Sequence, residues 1–521
     1  MNDFLKHIFF YQSDRPLLFT QMYFWVFLLI VYTGYCAVYD RKNLRNAYLF
    51  LVSIYFYYKT SGFYFLLLLF TTVFDYSNGL LIARTSSKSG RKLLMWLSIL
   101  VNLSILGYFK YTYFFAGIFS SMLHHSITPV NIFSQFTNTF FGTDFDITRI
   151  VLPVGISFYT FQSLSYIIEL TKKRVDVIKN FMDYGFFVSF FPQLVSGPIT
   201  RSSVFIPQMK QPFHLTAEDF NRAVLLIITG LIKKIVIADY IGFNFIDRVF
   251  DMPSSYTGFE NLMAVYGYGI QIYCDFSGYT DIAIGVALLM GFRLPVNFNS
   301  PYKAENITDF WKRWHISLTN WFRDFLFMPL ALAVSSRLKK EKYFFFRTDF
   351  LIYLFAGMLT FLLTGLWHGA DIRFIIWGGL HGILLVGHRF WTINIRKRLK
   401  KSKKQVFGRF LSIFITFNII SLTWLVFRAK DMTEVGQVLT RIATAFRWDL
   451  IPQIIFFYRF VFLIILIAYI IHWLPQNLKD SFSGFFFRLP AFLKIILIVL
   501  AVFLMYQVKT AGIQPFIYFQ F

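Results

Sequence analysis

The first chemical candidate is a histidine near the end of an apolar run. Residues 351–370 contain no Asp, Glu, Lys or Arg, and His368 lies close to the end of that run. A neutral imidazole at this place could take a proton from a nucleophile, which neither Lys nor Arg does readily. The alternative is a hydrogen bond that joins two helices. Gly365 and Gly369 flank the histidine and leave room for a substrate chain or for a neighbouring helix.

A second histidine lies in a stretch that predicts an amphipathic helix. Asn306 or Thr308 could cap a helix that begins near Asp309, whose carboxylate suits the positive N-terminal end. Large apolar residues then recur at helical spacing: Trp311, Trp314, Leu318 and Trp321. This stripe, with basic residues on the other faces, predicts a helix that lies on the membrane surface rather than spanning the bilayer. His315, about 100° around that helix from Trp314, fits a structural hydrogen bond as well as it fits catalysis.

Two carboxylates interrupt a third apolar stretch, residues 273–285. Asp275 and Asp281 lie there beside Gly278 and Gly285, and glycine permits close helix contact or a broken helix. One interpretation is helix packing with capping carboxylates. The other is contact with a proton or with a substrate.

The sequence contains no complete metal or nucleotide motif. His381 and His388 share one face of a helix, but neither a cysteine nor an acidic residue at ligand spacing completes a metal site. A Gly-rich nucleotide loop and a Gly-x-Ser-x-Gly nucleophile motif are also missing. We therefore expect no metal and no tightly bound cofactor.

The elements that carry these residues are predicted to be membrane helices. Hydrophobic residues make up 56% of the 521 residues and charged residues 15%, against about 45–50% and 25% in soluble proteins. Several runs without charged residues reach the roughly 17–20 residues that span a bilayer: residues 16–39, 93–109, 150–168, 184–200, 351–370, 410–427 and 460–478. Shorter apolar runs lie between them. We predict an all-α, polytopic integral membrane protein with about 11–14 membrane segments, some of them re-entrant or interfacial.

The net charge and the absence of repeats or linkers in the sequence bear on partners and on domain organisation. The net charge of +24 could indicate nucleic acid, but the basic clusters lie between apolar runs, the densest of them at residues 396–404. Such clusters are typical of cytoplasmic loops near anionic lipid. We expect membrane lipid as a partner and no nucleic acid. Without a tandem repeat or a low-complexity linker, residues 1–521 are predicted to form one membrane domain.

Six motifs follow one another between residues 150 and 390. They are Leu152-Pro-Val-Gly-Ile-Ser-Phe-Tyr-Thr-Phe-Gln162, Phe191-Pro-Gln-Leu-Val-Ser-Gly-Pro198, the stretch from Asp275 to Gly285, Leu294-Pro-Val-Asn-Phe-Asn-Ser-Pro-Tyr302, Phe310-Trp-Lys-Arg-Trp-His-Ile-Ser-Leu318 and Gly365-Leu-Trp-His-Gly369. In this order they resemble the membrane-bound O-acyltransferase (MBOAT) family, in its bacterial branch that acetylates polysaccharides such as alginate. Residues 515–521 also resemble the end of that branch.

The resemblance implies a ring of tilted helices around a tunnel, with the core motifs in residues 150–390 and additional C-terminal helices in residues 405–521. By position, it implies that His368 is the catalytic base and that His315 is a second functional histidine near the cytoplasmic mouth. It also points to substrate-binding residues: Trp367, Trp314, Asn299, Arg313, Asp275 and Asp281.

The implied activity is O-acyl transfer in the cytoplasmic (inner) membrane. An acetyl or other short acyl group would pass from a cytoplasmic thioester, acetyl-CoA or an acylated carrier protein, to a hydroxyl group for O-acetylation of an exported or cell-wall polysaccharide. An extracytoplasmic acetyltransferase of the SGNH type would be a partner. Two alternatives stay open: D-alanyl transfer to a teichoic acid-type polymer from a carrier-protein thioester, and a secondary transporter, which should show a repeat between its halves.

Overall fold

The chain is described here from a computed structural model, which covers residues 10–12, 16–212, 214–393 and 405–509. Apart from one two-stranded hairpin, the regular elements of this part of the chain are helices, which confirms the all-α class. The basic run at residues 396–404 and the closing residues 515–521 lie outside the described residues.

The chain forms two compact units with three boundaries along the sequence, two of which lie within helices. Unit 1 comprises Met1–Ala223 and Ala283–Pro295, and unit 2 comprises Val224–Ile282 and Val296–Phe521. The helices that contain a boundary are α10 (Ala217–Leu231) and α12 (Gly258–Leu289). The predicted single domain over residues 1–521 stays a prediction.

Unit 1 is built around packed aromatic rings. Its helices are α1 (Met22–Val38), α2 (Lys42–Ser61), α3 (Phe65–Arg84), α4 (Lys88–Leu123), α5 (Ile132–Phe141), α6 (Ile156–Thr171), α7 (Phe181–Ser189), α8 (Phe191–Leu194) and α9 (Ser202–Lys210). The rings of Phe186, Phe190 and Phe205 are buried and lie 5.1, 5.2 and 5.4 Å from that of Phe292. Edge-to-face and stacked contacts of this kind stabilise a core beyond the area that they bury.

Unit 2 contains the histidine motifs. After α10 come two π-helical segments, Ile232–Asp239 and Gly242–Ile246, and then α11 (Asp247–Asp251) and α12. The remaining elements are α13 (Ile307–Trp311), α14 (Ile316–Phe322), a π-helical segment Arg323–Phe327, α15 (Met328–Arg337), β1 (Lys342–Tyr343), β2 (Phe346–Arg347), α16 (Thr348–His368), α17 (Ile372–Trp391), α18 (Gln405–Arg428), α19 (Met432–Thr444), α20 (Ile451–Phe457), α21 (Arg459–Trp473), α22 (Gln476–Arg488) and α23 (Ala491–Lys509). Buried tryptophans from three of these helices, Trp311, Trp377 and Trp424, belong to one core cluster.

Five helices of the described residues are long and apolar enough to cross a membrane: Lys42–Arg84, Lys88–Leu123, Gly258–Leu289, Thr348–His368 and Gly408–Arg428. The number rises to 7 if each of two bent helix pairs in the C-terminal part is one span. Other predicted segments fold as shorter helices, such as α6 with 16 residues and α7 with 9, which are shorter than a full crossing requires. The chain is thus a multi-pass membrane protein, while the 11–14 segments and the ring around a tunnel stay predictions.

Candidate active site

His368 is the last residue of α16 and is enclosed by aromatic rings. Only 5% of its surface is exposed. Its ring centre lies 4.9 Å from that of Trp367, 5.1 Å from that of Trp377 on α17 and 5.3 Å from that of Phe427 on α18. Among such apolar groups an uncharged imidazole costs less to bury than a charged one. An uncharged ring is also the form that a general base needs.

Glycines let α16 and α17 approach closely and so fix the position of His368. A Cβ atom at Gly365 would lie 2.1 Å from the carbonyl oxygen of Phe374. One at Gly378 would lie 2.2 Å from the carbonyl oxygen of Phe361. At Gly369 it would lie 2.1 Å from the Phe374 ring. Of the two uses that the sequence left open for Gly365 and Gly369, contact with the neighbouring helix is the one found.

His315 precedes α14 in a left-handed backbone conformation and is held by one amide. Its φ is +42°, and 1% of its surface is exposed. Its Nδ1 lies 3.2 Å from Oδ1 of Asn297. The same Oδ1 accepts hydrogen bonds from the backbone N–H of Ser317 at 3.1 Å and from its hydroxyl at 2.9 Å. Because a backbone N–H can only donate, this atom is the amide oxygen, so Nδ1 of His315 carries the proton and Nε2 has a lone pair.

The surroundings of His315 keep it neutral. It lies outside the helices that are long enough to span a membrane. Burial lowers the pKa of His315 from 6.5 to about 3, because an imidazolium loses its hydration there. The ring of Phe276 lies 4.6 Å away and that of Trp367 lies 6.3 Å away. Since His368 also packs against Trp367, the two histidines predicted to be functional lie around one indole.

The predicted continuous surface helix around His315 is wrong. The stretch is instead broken into α13 and α14, and His315 lies at the break. Asn306 is the cap of α13, since its side chain accepts from the N–H of Asp309. The aromatic stripe is buried inside unit 2 instead of facing lipid: Trp311 5%, Trp314 1%, Leu318 1% and Trp321 8% exposed. Of the stripe, only Leu318 and Trp321 share a helix, and Trp314 lies in the break. There the N–H of Ile316 and the ring of His315 form hydrogen bonds with Asn297.

Arg313 and Asn299 connect the segment before α13 to the break between α13 and α14. Arg313 Nε lies 2.9 Å from Asp309 Oδ1, and its Nη1 donates to the carbonyl oxygen of Asn299 at 3.3 Å. In return, the N–H of Asn299 donates to the carbonyl oxygen of Arg313 at 2.9 Å. Trp314 is buried against Trp424, with ring centres 4.8 Å apart. These contacts support the site, and substrate binding by Arg313, Asn299, Trp314 and Trp367 stays a prediction.

Asp275 and Asp281 form ion pairs with two adjacent lysines. Lys234 Nζ lies 2.5 Å from Asp275 and 2.7 Å from Asp239, and Lys233 Nζ lies 2.6 Å from Asp281. Between the pairs, a Cβ atom at Gly278 would lie 2.7 Å from the carbonyl oxygen of Gly230. This arrangement agrees with helix packing. A substrate contact by either carboxylate stays a prediction.

The two histidines of α17 make separate hydrogen bonds. Nδ1 of His381 accepts from the indole N–H of Trp311 at 3.3 Å, and Nδ1 of His388 lies 3.0 Å from the Thr308 hydroxyl. Within the described residues, no group of three or more His, Cys, Asp or Glu side chains is placed to hold a metal ion.

A mostly apolar pocket of about 300 Å³ opens beside α16. Its polar lining includes Lys312, Arg323, Asn320, Thr319, Thr360 and Thr364, with Trp311, Phe322, Phe327, Tyr353 and Phe361 among the rings. Thr364 is four residues before His368, which places both on one face of α16. Thr364 lines the pocket, whereas His368, one turn further along α16, does not.

Some residues of this site were not predicted from the sequence. Asn297 lies within the motif of residues 294–302, but nothing local marks its amide as the partner of His315. Trp377 and Phe427 come from later helices, so only the fold brings them to His368. Thr364 had a signal, since it lies one helical turn before the histidine and directly precedes the motif of residues 365–369.

Several known proteins are similar to this chain over most of its length. The family model for the membrane-bound O-acyltransferase family matches residues 89–429. A peptidoglycan O-acetyltransferase of Helicobacter pylori is 36% identical over 449 residues, which cover 81% of this chain and 78% of that protein. A probable alginate O-acetylase AlgI of Pseudomonas aeruginosa is 34% identical and covers 82% of this chain and 75% of its own length. A teichoic acid D-alanyltransferase of Streptococcus thermophilus is 33% identical, and the match covers 53% of this chain and 68% of that protein.

Proposed function

Because the chain belongs to the membrane-bound O-acyltransferase family, we propose that it moves an acetyl or other short acyl group from a thioester to a hydroxyl group for O-acetylation of an exported or cell-wall polysaccharide. The observation that carries the proposal is the placement of His368. This histidine is enclosed by aromatic rings at the end of α16, one turn after a threonine that lines an apolar pocket. Two of the relatives support a polysaccharide acceptor, since their names specify peptidoglycan and alginate.

His368 acts as the general base in this reaction. The acceptor hydroxyl gives its proton to the imidazole while its oxygen attacks the thioester carbonyl carbon. The new C–O ester bond forms and the C–S bond breaks. The proton then passes from the imidazolium to the departing thiolate, which leaves as a thiol. His368 is thereby neutral again for the next turnover.

The pocket beside α16 is the proposed site for the donor. Its apolar rings suit an acyl chain and the arm that carries it. Lys312 and Arg323 in its lining supply positive charge for the phosphate groups that CoA and a carrier-protein arm both contain. His315, held by Asn297 next to Trp367, orients the thioester end.

We further propose that the donor enters from the cytoplasm and that the acceptor lies outside the cytoplasmic membrane. An acetyl group made inside the cell then reaches the exported polymer without a carrier that crosses the bilayer. An extracytoplasmic SGNH-type acetyltransferase would complete the transfer to the sugar. The absence of a Gly-x-Ser-x-Gly motif from the sequence supports a separate protein for that step.

The test uses the full chain in lipid nanodiscs. Protein is incubated with acetyl-CoA, with an acetylated carrier protein or with a D-alanylated carrier protein, and the released thiol is measured with and without a polysaccharide acceptor. We expect acceptor-dependent thiol release from an acetyl donor. Release only from the D-alanyl donor would move the chain to the D-alanylating branch. No release from any donor, together with donor transport across vesicle membranes, would favour a transporter.

Pocket variants test the donor site separately. Lys312→Gln and Arg323→Gln should raise the donor KM with little change in kcat, because they remove charge that binds phosphate rather than the reacting group. Arg222→Gln removes an exposed basic residue that does not line the pocket and is the matched control. An equal KM in all three variants would contradict the proposed donor site.

A further inference from the structure

Two phenylalanines are almost fully exposed at the tip of the only hairpin in the described residues. Strands β1 and β2 pair Lys342 with Arg347 and Tyr343 with Phe346, which leaves Phe344 and Phe345 as the turn. These two side chains are 96% and 97% exposed, the highest values among the large apolar residues of the described chain. Adjacent exposed aromatic rings mark a surface that contacts something other than water.

The backbone conformation of the turn is also unfavourable for phenylalanine. Phe344 adopts a φ of +53°, in the left-handed region that side chains with a Cβ rarely occupy. A two-residue hairpin turn with positive φ at its first central position favours glycine there. Local stability therefore does not explain Phe344, and a strained residue of this kind points to a function of its ring.

The backbone around the hairpin is held in place. The Tyr343 hydroxyl accepts from the backbone N–H of Lys339 at 3.1 Å. The N–H of Thr348 donates to the carbonyl oxygen of Glu341 at 3.0 Å. The two phenylalanines are thus presented by a hydrogen-bonded scaffold.

The hairpin lies at the level where a membrane-spanning helix begins. The next residue after β2, Thr348, starts α16, which is a candidate span. Phe346 packs on Phe350 of that helix with ring centres 5.5 Å apart, and Phe390 near the end of α17 lies 5.6 Å from Phe350. Exposed aromatic residues at the ends of spans are typical of the boundary between headgroups and acyl chains.

The charges around the tip favour an anionic membrane surface. Five basic residues lie in or next to the hairpin: Arg337, Lys339, Lys340, Lys342 and Arg347. Only Glu341 and Asp349 oppose them, and Asp349 is paired with Arg347 at 3.1 Å. Lysine and arginine near a membrane surface attract anionic lipid headgroups.

We propose that the hairpin of residues 342–347 is a lipid anchor, with Phe344 and Phe345 inserted at the acyl-chain boundary and the basic residues bound to anionic headgroups. The proposal rests on the membrane location of α16 and is independent of the acyl donor and acceptor. The proposal also relates the hairpin to the position of His368. His368 lies 20 residues beyond Thr348 on the same helix, which is about 30 Å along its axis. The anchor thereby fixes the depth of the histidine in the bilayer.

The test places a fluorescent label at the tip. Cys36 is exposed and Cys274 is buried, so the full chain with Cys36→Ala and Phe345→Cys carries one accessible thiol for an NBD group. The protein is placed in nanodiscs of phosphatidylcholine with or without phosphatidylglycerol, and doxyl-labelled lipid serves as the quencher. Glu341→Cys, one residue before β1, is the matched control because a position that carries a charged residue in the parent does not favour the acyl region.

We expect lipid quenching at residue 345, stronger with phosphatidylglycerol, and little quenching at residue 341. A label at 345 that is quenched only by aqueous iodide would overturn the proposal. So would a label that changes its emission only when an acyl carrier protein is added, or only when two labelled chains share one nanodisc, since these results would identify a protein partner or a second copy.

A second variant removes the rings without disturbing the turn. Phe344→Gly with Phe345→Asn supplies residues that this turn favours, so the hairpin should keep its fold. We expect the phosphatidylglycerol-dependent increase in Tm to be smaller in this variant than in the parent. An equal increase in both proteins would contradict an anchoring role.

Discussion

Asn297→Asp tests whether the reaction needs a neutral His315. Burial lowers the pKa of His315 from 6.5 to about 3. At about 1.4 kcal/mol per pKa unit, this disfavours the imidazolium by about 5 kcal/mol. A carboxylate oxygen in the place of Asn297 Oδ1 would lie 3.2 Å from Nδ1 of His315. At an effective dielectric constant of about 20, that charge pair contributes about 5 kcal/mol in the opposite direction. The two effects offset each other, so the pKa of His315 in the variant should return close to its ordinary value.

The assay is single-turnover acyl transfer as a function of pH, with the full chain in nanodiscs. In the parent, His315 stays neutral from about pH 4 upwards and should add no titration between pH 5 and 8. In Asn297→Asp, activity should fall as the pH drops through about 6.5, because the imidazolium forms there. Ser317→Ala is the control, since it removes one hydrogen bond to the same oxygen and adds no charge. A variant profile with the shape of the parent profile would refute the reasoning.

Two further predictions concern the supports of the site. Arg313→Lys should lower activity several-fold, because an ammonium cannot reach both Asp309 and the Asn299 carbonyl, and a lost hydrogen bond costs about 1 kcal/mol. The activity of Arg447→Lys, which alters the exposed pair with Asp449, should stay near that of the parent. Gly365→Ala should lower Tm and abolish transfer, because overpacking costs about 1–3 kcal/mol or more where a backbone carbonyl must move. Gly387→Ala, on α17 with open space around it, should leave Tm unchanged or raise it.

The sequence predicted those features of the site that depend on neighbouring residues. An apolar run that ends in a histidine predicted both α16 and the place of His368. The sequence left two uses open for Gly365 and Gly369, and the structure shows contact with the neighbouring helix. These inferences succeed because helix periodicity and glycine geometry are local properties.

Features that depend on distant residues could not be predicted in this way. Where the helix breaks, the ring of His315 forms a hydrogen bond with an amide 18 residues earlier, and no local pattern encodes that contact. The ion pairs of Asp275 and Asp281 need Lys234 and Lys233, adjacent residues that an ordinary helix turns in different directions. They lie in a π-helical segment, whose wider turn was not visible in the sequence.

The central claim is that His368 takes a proton from the acceptor hydroxyl. Single-turnover transfer by His368→Gln tests it most directly, because glutamine keeps hydrogen bonding but cannot take a proton. The variant should be monodisperse and bind donor as the parent does, and it should form no transferred product. His315→Gln, measured beside it, should keep partial transfer with weaker donor binding. Substantial transfer by His368→Gln would contradict the account and exclude this histidine as the essential base.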